Sequence, residues 1–208
     1  AVLANDSWGG TAWGWKTIRP THGNITIGVF RPTDSHWYLR NANTSGAPDL
    51  VTGYGAIGDT PVAGDWDGDG TDTLGVYRPS ERRWYLRNSN APGNPDLVFD
   101  FGESGDVPIV GDWDGDGRDT VGVFRPSTNT WFLPNSNSAG GGDITFTWGN
   151  GDNTPVVGDW DGEGIDTVGM YRASDSRWRL HLKNGEPAPN ITFIHGQAGD
   201  RPIVGDWN

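Results

Sequence analysis

The residues with the clearest chemistry are carboxylates placed two apart and punctuated by glycine. They lie in Gly64-Asp65-Trp66-Asp67-Gly68-Asp69-Gly70-Thr71-Asp72-Thr73 and recur in Gly111-Asp112-Trp113-Asp114-Gly115-Asp116-Gly117-Arg118-Asp119-Thr120. A third copy is Gly158-Asp159-Trp160-Asp161-Gly162-Glu163-Gly164-Ile165-Asp166-Thr167, each copy falling 47 residues after the last. Acids at alternate positions on a tight loop turn their oxygens to one centre. Glycine after the third acid permits the positive φ of the bend, and a backbone carbonyl plus water complete six or seven oxygens. An all-oxygen donor set of this kind is suited to calcium. Magnesium keeps most of its water, and zinc is disfavoured in a chain with no Cys and four scattered His.

The candidate ligands are therefore Asp65, Asp67, Asp69 and Asp72, then Asp112, Asp114, Asp116 and Asp119, then Asp159, Asp161, Glu163 and Asp166. Whether the eighth position (Asp72, Asp119, Asp166) or the ninth (Thr73, Thr120, Thr167) closes the cage stays open. The loop is not an EF-hand, because Val76, Val123 and Met170 stand where its bidentate Glu belongs. The competing reading is a turn whose Asp side chains bond only their own backbone. Three copies of such closely packed like charge favour a cation. Three sites are expected to fill, with a weak fourth at Asp206 and Asn208, where His22 and Ile25 replace the other acids.

Charge bears on partners. The net charge is −12, and the three loops hold the excess, since the remaining acids are matched by the 15 Lys and Arg. A surface of that sign speaks against nucleic acid and for cations. No apolar run reaches the length of about 18 residues that a membrane-spanning helix needs.

The loops are positioned by a repeat. Gly28, Gly75, Gly122 and Gly169 are 47 apart, as are Arg31, Arg78, Arg125 and Arg172, and Trp37, Trp84, Trp131 and Trp178. Residues 21–208 make four such periods; residues 1–20, with Trp8, Trp13 and Trp15 among glycines, form an N-terminal extension outside the register. Each unit carries four strand candidates bounded by Gly, Pro, Asn and Ser, as at 60–65, 73–78, 83–87 and 97–101. Four short strands per unit of this length predict an all-β, four-bladed β-propeller. Pro202-Ile203-Val204-Gly205-Asp206-Trp207 is expected to close the ring as the first strand of the first blade; the alternative is five blades, the fifth incomplete.

The run Gly-Asp-Trp-Asp-Gly-Asp-Gly, followed by Gly75-Val76-Tyr77-Arg78-Pro79-Ser80 and Trp84-Tyr85-Leu86, resembles the FG-GAP or VCBS-type repeats of secreted and cell-surface proteins. The resemblance covers residues 21–208 and implies calcium-binding propeller blades with extracellular roles in adhesion or recognition. The eighth-position Asp departs from it, the family commonly having Asp at the ninth. For ligand binding, the positions where copies differ are the candidates: Tyr38, Tyr85 and Phe132 in one set, Tyr54, Phe101 and Trp148 in another, beside Asn41, Asn88 and Asn135. Aromatics beside amides suit the faces and hydroxyls of sugars. The expectation is a multivalent, lectin-like carbohydrate-binding module, with a protein-binding adhesion platform as one alternative and a glycan-cleaving enzyme as the other. No nucleophile–base pair, HExxH or phosphate loop is present, so a non-enzyme is expected.

Overall fold

A computed structural model describes residues 26–204. These residues form strands and turns with no helix, arranged as the four blades of a β-propeller. Blade 1 contains β1 (Gly28–Arg31), β2 (His36–Leu39) and β3 (Leu50–Gly53). Blade 2 contains β4 (Thr60–Gly64), β5 (Thr73–Arg78), β6 (Arg83–Leu86) and β7 (Leu97–Asp100). Blade 3 is built from β8 (Val107–Gly111), β9 (Thr120–Arg125), β10 (Thr130–Leu133) and β11 (Ile144–Thr147). Blade 4 has β12 (Thr154–Gly158), β13 (Thr167–Arg172), β14 (Arg177–Leu180) and β15 (Ile191–Ile194).

Each sheet is an antiparallel meander in chain order. The hairpin between the second and third strand of each full blade keeps one geometry. Glu81 N–H bonds the Arg78 carbonyl at 3.1 Å, and Arg82 then takes a φ of 56°. Ser35, Asn129 and Ser176 repeat that left-handed residue at 55°. A type I turn followed by one left-handed residue is a common way to reverse a strand pair without splaying it.

The blades stack face to face, and one recipe makes each junction. Trp84, Leu86, Phe99 and Phe101 of blade 2 pack on Val121 and Val123 of blade 3. Trp131, Leu133 and Trp148 of blade 3 pack on Val168 and Met170 of blade 4, and Trp37 and Tyr54 of blade 1 pack on Leu74 and Val76 of blade 2. The indole N–H of Trp37, Trp84 and Trp131 donates to the carbonyl of Tyr54, Phe101 and Trp148 at 3.0–3.1 Å. The indole thus fills the junction while its one polar atom is satisfied.

Two expectations meet the structure differently. The strands fall where the 47-residue register places them, but Arg201–Val204 form no strand, and blade 1 has three strands with β1 at its edge. The closing strand is therefore not made by the described part of Pro202–Trp207, whose Ile203 is 74% exposed. The N-terminal extension, and Asp206 and Asn208 of the weak fourth site, lie outside the described residues.

One buried group stands out at the junction of blades 3 and 4. His181 is fully buried, its ring edge-on to Trp148 at 4.1 Å, and neither ring nitrogen has a hydrogen-bond partner among the described residues. Burial lowers its pKa, with Glu186 opposing the shift. The unfolded chain takes up the proton near the ordinary value of about 6.5, and the folded chain only at lower pH. Stability contributed by the neutral ring is thus present above that value and lost as pH falls below it; His181→Leu is expected to flatten the decline in urea midpoint between about pH 6.5 and 5. Trp84→Ala, which empties the fully buried centre of the blade 2–3 junction, is expected to cost about 3–5 kcal/mol in equilibrium unfolding.

Candidate metal centre

Each acidic loop links the first strand of a full blade to the second, as β4 to β5, β8 to β9 and β12 to β13. Glycines at φ of 77° (Gly68) and 87° (Gly70) curl the first loop, and Gly115 and Gly117 do the same at 77° and 90°. The curl turns backbone N–H groups inward, and the first aspartate receives them. Asp65 Oδ1 accepts from Gly68 N at 2.8 Å and Asp69 N at 3.1 Å, while its Oδ2 accepts from Gly70 N at 2.7 Å. Asp112 accepts the same three bonds, at 2.6, 3.2 and 2.8 Å, and Asp159 at 2.9, 3.1 and 2.8 Å. Asp65 and Asp112 are 1% and 2% exposed. A carboxylate so buried is stabilised because three N–H donors replace its water.

The third and fifth positions add oxygens to that centre. Asp65, Asp67 and Asp69 place one carboxylate oxygen each within 4.8 Å of one another, and so do Asp112, Asp114 and Asp116. These are two groups able to hold a metal ion, made only of hard oxygen donors. The carboxyl of Asp114 has its pKa raised, first by burial and next by the charge of Asp116, the cost a bound cation would relieve. Asp159, Asp161 and Glu163 make no such group among the described residues. Two differences accompany this: Glu163 has a longer arm, and Asp159 is less buried than Asp65 or Asp112.

The eighth position does something else. Asp119 Oδ2 accepts the backbone N–H of Asp65, in the loop of the preceding blade, at 2.8 Å, and Asp119 N donates back to the Asp65 carbonyl at 2.8 Å. Asp166 repeats the exchange with Asp112, at 3.0 and 2.8 Å. Asp72, Asp119 and Asp166 all fall outside the triads. The ninth residue faces its own blade: the hydroxyls of Thr73, Thr120 and Thr167 donate to the carbonyls of Arg87, Pro134 and His181 at 2.6–2.7 Å. The eighth residue thus ties loop to loop at Asp119 and Asp166, and the ninth ties each loop to its own blade.

A support missed at the sequence level is the asparagine behind each loop. Asn90, Asn137 and Asn184 donate from Nδ2 to the carbonyls of Asp72, Asp119 and Asp166 at 2.9–3.0 Å. Their spacing of 47 residues was the available signal.

The candidate ligand positions divide. Tyr54, Phe101 and Trp148 are only 9%, 7% and 9% exposed and belong to the blade junctions, which corrects their reading as sugar-stacking surfaces. They differ between copies because each packs on a different neighbour: Arg87 lies over Tyr54 at 5.7 Å, and His181 lies against Trp148. Tyr38, Tyr85 and Phe132 are half-buried, each with a guanidinium over its ring, from Arg31 at 4.3 Å, Arg78 at 4.5 Å and Arg125 at 4.6 Å. Asn41, Asn88 and Asn135 are exposed, and their backbone N–H groups donate to Asp49, Asp96 and Asp143 at 2.7–2.8 Å.

The arginines are themselves engaged. Arg78 makes a two-pronged pair with Asp59, at 2.8 and 2.9 Å, and Arg125 with Asp106, at 2.9 and 3.0 Å. Both acids have carboxylates 1% exposed, and they hold the guanidinium pKa values above the ordinary range. In blade 4 the equivalent position holds the uncharged amide Asn153, and Arg172 turns to Asp175, at 2.5 and 2.7 Å.

Fold and site together define a four-bladed β-propeller, two of whose loops carry acidic groups able to hold a metal ion. Comparisons with protein families, curated proteins and solved structures found no match. The geometry makes Asp119 a staple between blades: Asp119→Ala strands the buried N–H of Asp65 and is expected to lower unfolding free energy by about 1–3 kcal/mol in metal-free buffer. Asp69→Asn, which keeps the loop's shape and removes only one charge, is expected to change it by less than about 0.5 kcal/mol under the same conditions.

Proposed function

We propose that this chain is a calcium-stabilised binding module of the FG-GAP or VCBS type. The observation that carries the reading is the pair of aspartate triads, each organised around a buried carboxylate at the seam between two blades. A hard all-oxygen set suits calcium, and the motif positions leave room for carbonyl and water ligands. A module of this kind works outside the cell, secreted or at its surface, where calcium is plentiful enough for sites of modest affinity.

The ligand class we assign is carbohydrate, with a protein partner as the alternative. Support comes from the repetition of half-buried Tyr38, Tyr85 and Phe132 and exposed Asn41, Asn88 and Asn135, which would give weak sites strengthened by multivalency. A sugar would stack on the ring face opposite the guanidinium. Binding rather than catalysis is favoured because the repeated carboxylates are engaged in loop and blade hydrogen bonds.

Calcium titration by calorimetry is expected to show two sites, not three, and Asp67→Asn with Asp69→Asn is expected to leave one. Each site held at a hundred times its dissociation constant contributes about 2.7 kcal/mol, or a rise of about 5–10 °C in melting midpoint for a domain of this size. A midpoint equal in calcium and in excess chelator would remove the metal from this reading. Glycan-array binding that weakens in chelator supports the sugar assignment, while a single tight protein partner without sugar binding would replace it.

A further inference from the structure

Three coordinated exchanges turn one face of blade 4 basic in a chain whose net charge is −12. The corresponding face of blade 2 carries Arg78 and Arg83, and they are matched by Asp59, Glu81 and Asp100. Two repeats later the positions of Asp59, Asp100 and Tyr85 hold Asn153, Ile194 and Arg179. Each exchange removes a negative charge or adds a positive one. Arg172, Arg177 and Arg179 then stand where the one carboxylate that pairs with arginine is Asp175, the equivalent of Glu81. Asp152, exposed beside Asn153, forms no ion pair with them among the described residues.

The three arginines share one side of the sheet. Arg177 and Arg179 are two apart on β14, and Arg172 of β13 stands directly opposite Arg177, so alternation along the strand and pairing across it give all three the same face. The diagonal from Arg172 to Arg179 is the one from Arg78 to Tyr85 and from Arg125 to Phe132, where guanidinium and ring centre are 4.5 and 4.6 Å apart. In blade 4 a second guanidinium replaces the ring, and like charges set so close repel. Asp175 accepts from Nε and Nη2 of Arg172 at 2.7 and 2.5 Å and from Nε of Arg177 at 3.2 Å. Nη1 of Arg172 and the whole guanidinium of Arg179 are left without a partner among the described residues.

The exchanged acid shows what such a face would hold. Asp59 and Asp106 accept the N–H of Ala56 and Glu103 at 2.8 Å and also receive the forks of Arg78 and Arg125. Asn153 fills the same position at 7% exposure, and its side-chain amide makes no hydrogen bond among the described residues. A buried amide without a partner costs free energy, and its NH2 can donate where a carboxylate only accepts. With the protein's own carboxylate removed, its arginine kept and a second arginine added, the donors suit an oxyanion supplied from outside. We propose that this face of blade 4 binds the carboxylate or sulfate group of an acidic sugar, held by the Arg179 guanidinium and the Asn153 amide. Arg172 and Arg177, fixed by Asp175, add positive charge around it. The sugar rests on the carbohydrate reading above, since Arg179 stands at the position of Tyr38, Tyr85 and Phe132; the oxyanion does not.

Glucose, a sulfated glucose, glucuronate and inorganic sulfate are each titrated into the chain at constant ionic strength, with binding followed by nuclear magnetic resonance. An acidic sugar is expected to bind more tightly than glucose, and Arg179→Gln to weaken it by about tenfold or more. Asn153→Asp, which restores the acid of blades 2 and 3, is expected to weaken it as much without lowering the urea midpoint. Arg83→Gln, which removes an arginine already matched by Asp100, is expected to leave it unchanged. Inorganic sulfate that binds as tightly as the sulfated glucose, and needs Arg179, keeps the oxyanion site and removes the sugar from it. Acidic sugars that bind no more tightly than glucose, and ignore both blade 4 substitutions, overturn this site and leave the carbohydrate reading standing. No binding of sulfate or of either acidic sugar overturns the proposal outright.

Discussion

A carboxylate withdrawn from water needs donors, and the propeller meets that need in three loops, with the carboxylate buried in two of them. Asp65, Asp112 and Asp159 draw the backbone N–H groups of their own loops inward, which fixes the curl, and around Asp65 and Asp112 the following acids gather at one point. The backbone of that first aspartate is then bound by the next blade, through Asp119 for Asp65 and Asp166 for Asp112. Loop shape and blade stacking are therefore one equilibrium. A cation held by either triad acts on the seam as well as on the loop, because the residue it touches is the one that the neighbouring blade grips.

Around that seam the apolar junction supplies the bulk of the driving force and the ion pairs supply direction. Tryptophan, leucine and a last-strand aromatic meet two branched or flexible residues of the next blade, and the indole N–H is satisfied within its own blade. Arg78 and Arg125 run from β5 and β9 to buried acids of the preceding turn and lie over Tyr85 and Phe132. A fixed guanidinium fork locks one orientation between strand and turn where burial alone would tolerate several.

Departures from the repeat collect toward the ends, and each has a local consequence. Asn153 in place of the buried acid releases Arg172 to Asp175, so blade 4 lacks the tie that blades 2 and 3 have. Glu163 lengthens the third loop, which has no gathered triad among the described residues. Exposed Ile27 and Val29 in blade 1 and Phe193 in blade 4 are departures in apolar form. Among the described residues the packed junctions are those of blade 1 with blade 2, blade 2 with blade 3 and blade 3 with blade 4.

What the sequence determined alone is what local chemistry and a strict period can encode. A register of 47 residues, alternation within short runs and turn residues at constant offsets placed the strands, and alternate acids with glycine placed the acidic loops. Local pattern could not separate roles that depend on the adjacent blade. Asp119 has the type of a ligand and also binds the backbone of the preceding loop, and Tyr54, Phe101 and Trp148 have the type of a binding surface and serve as junction core. Only the tertiary structure decided these, because the partner in each case lies on another sheet, and a period that repeats every residue equally cannot say which copy a side chain faces.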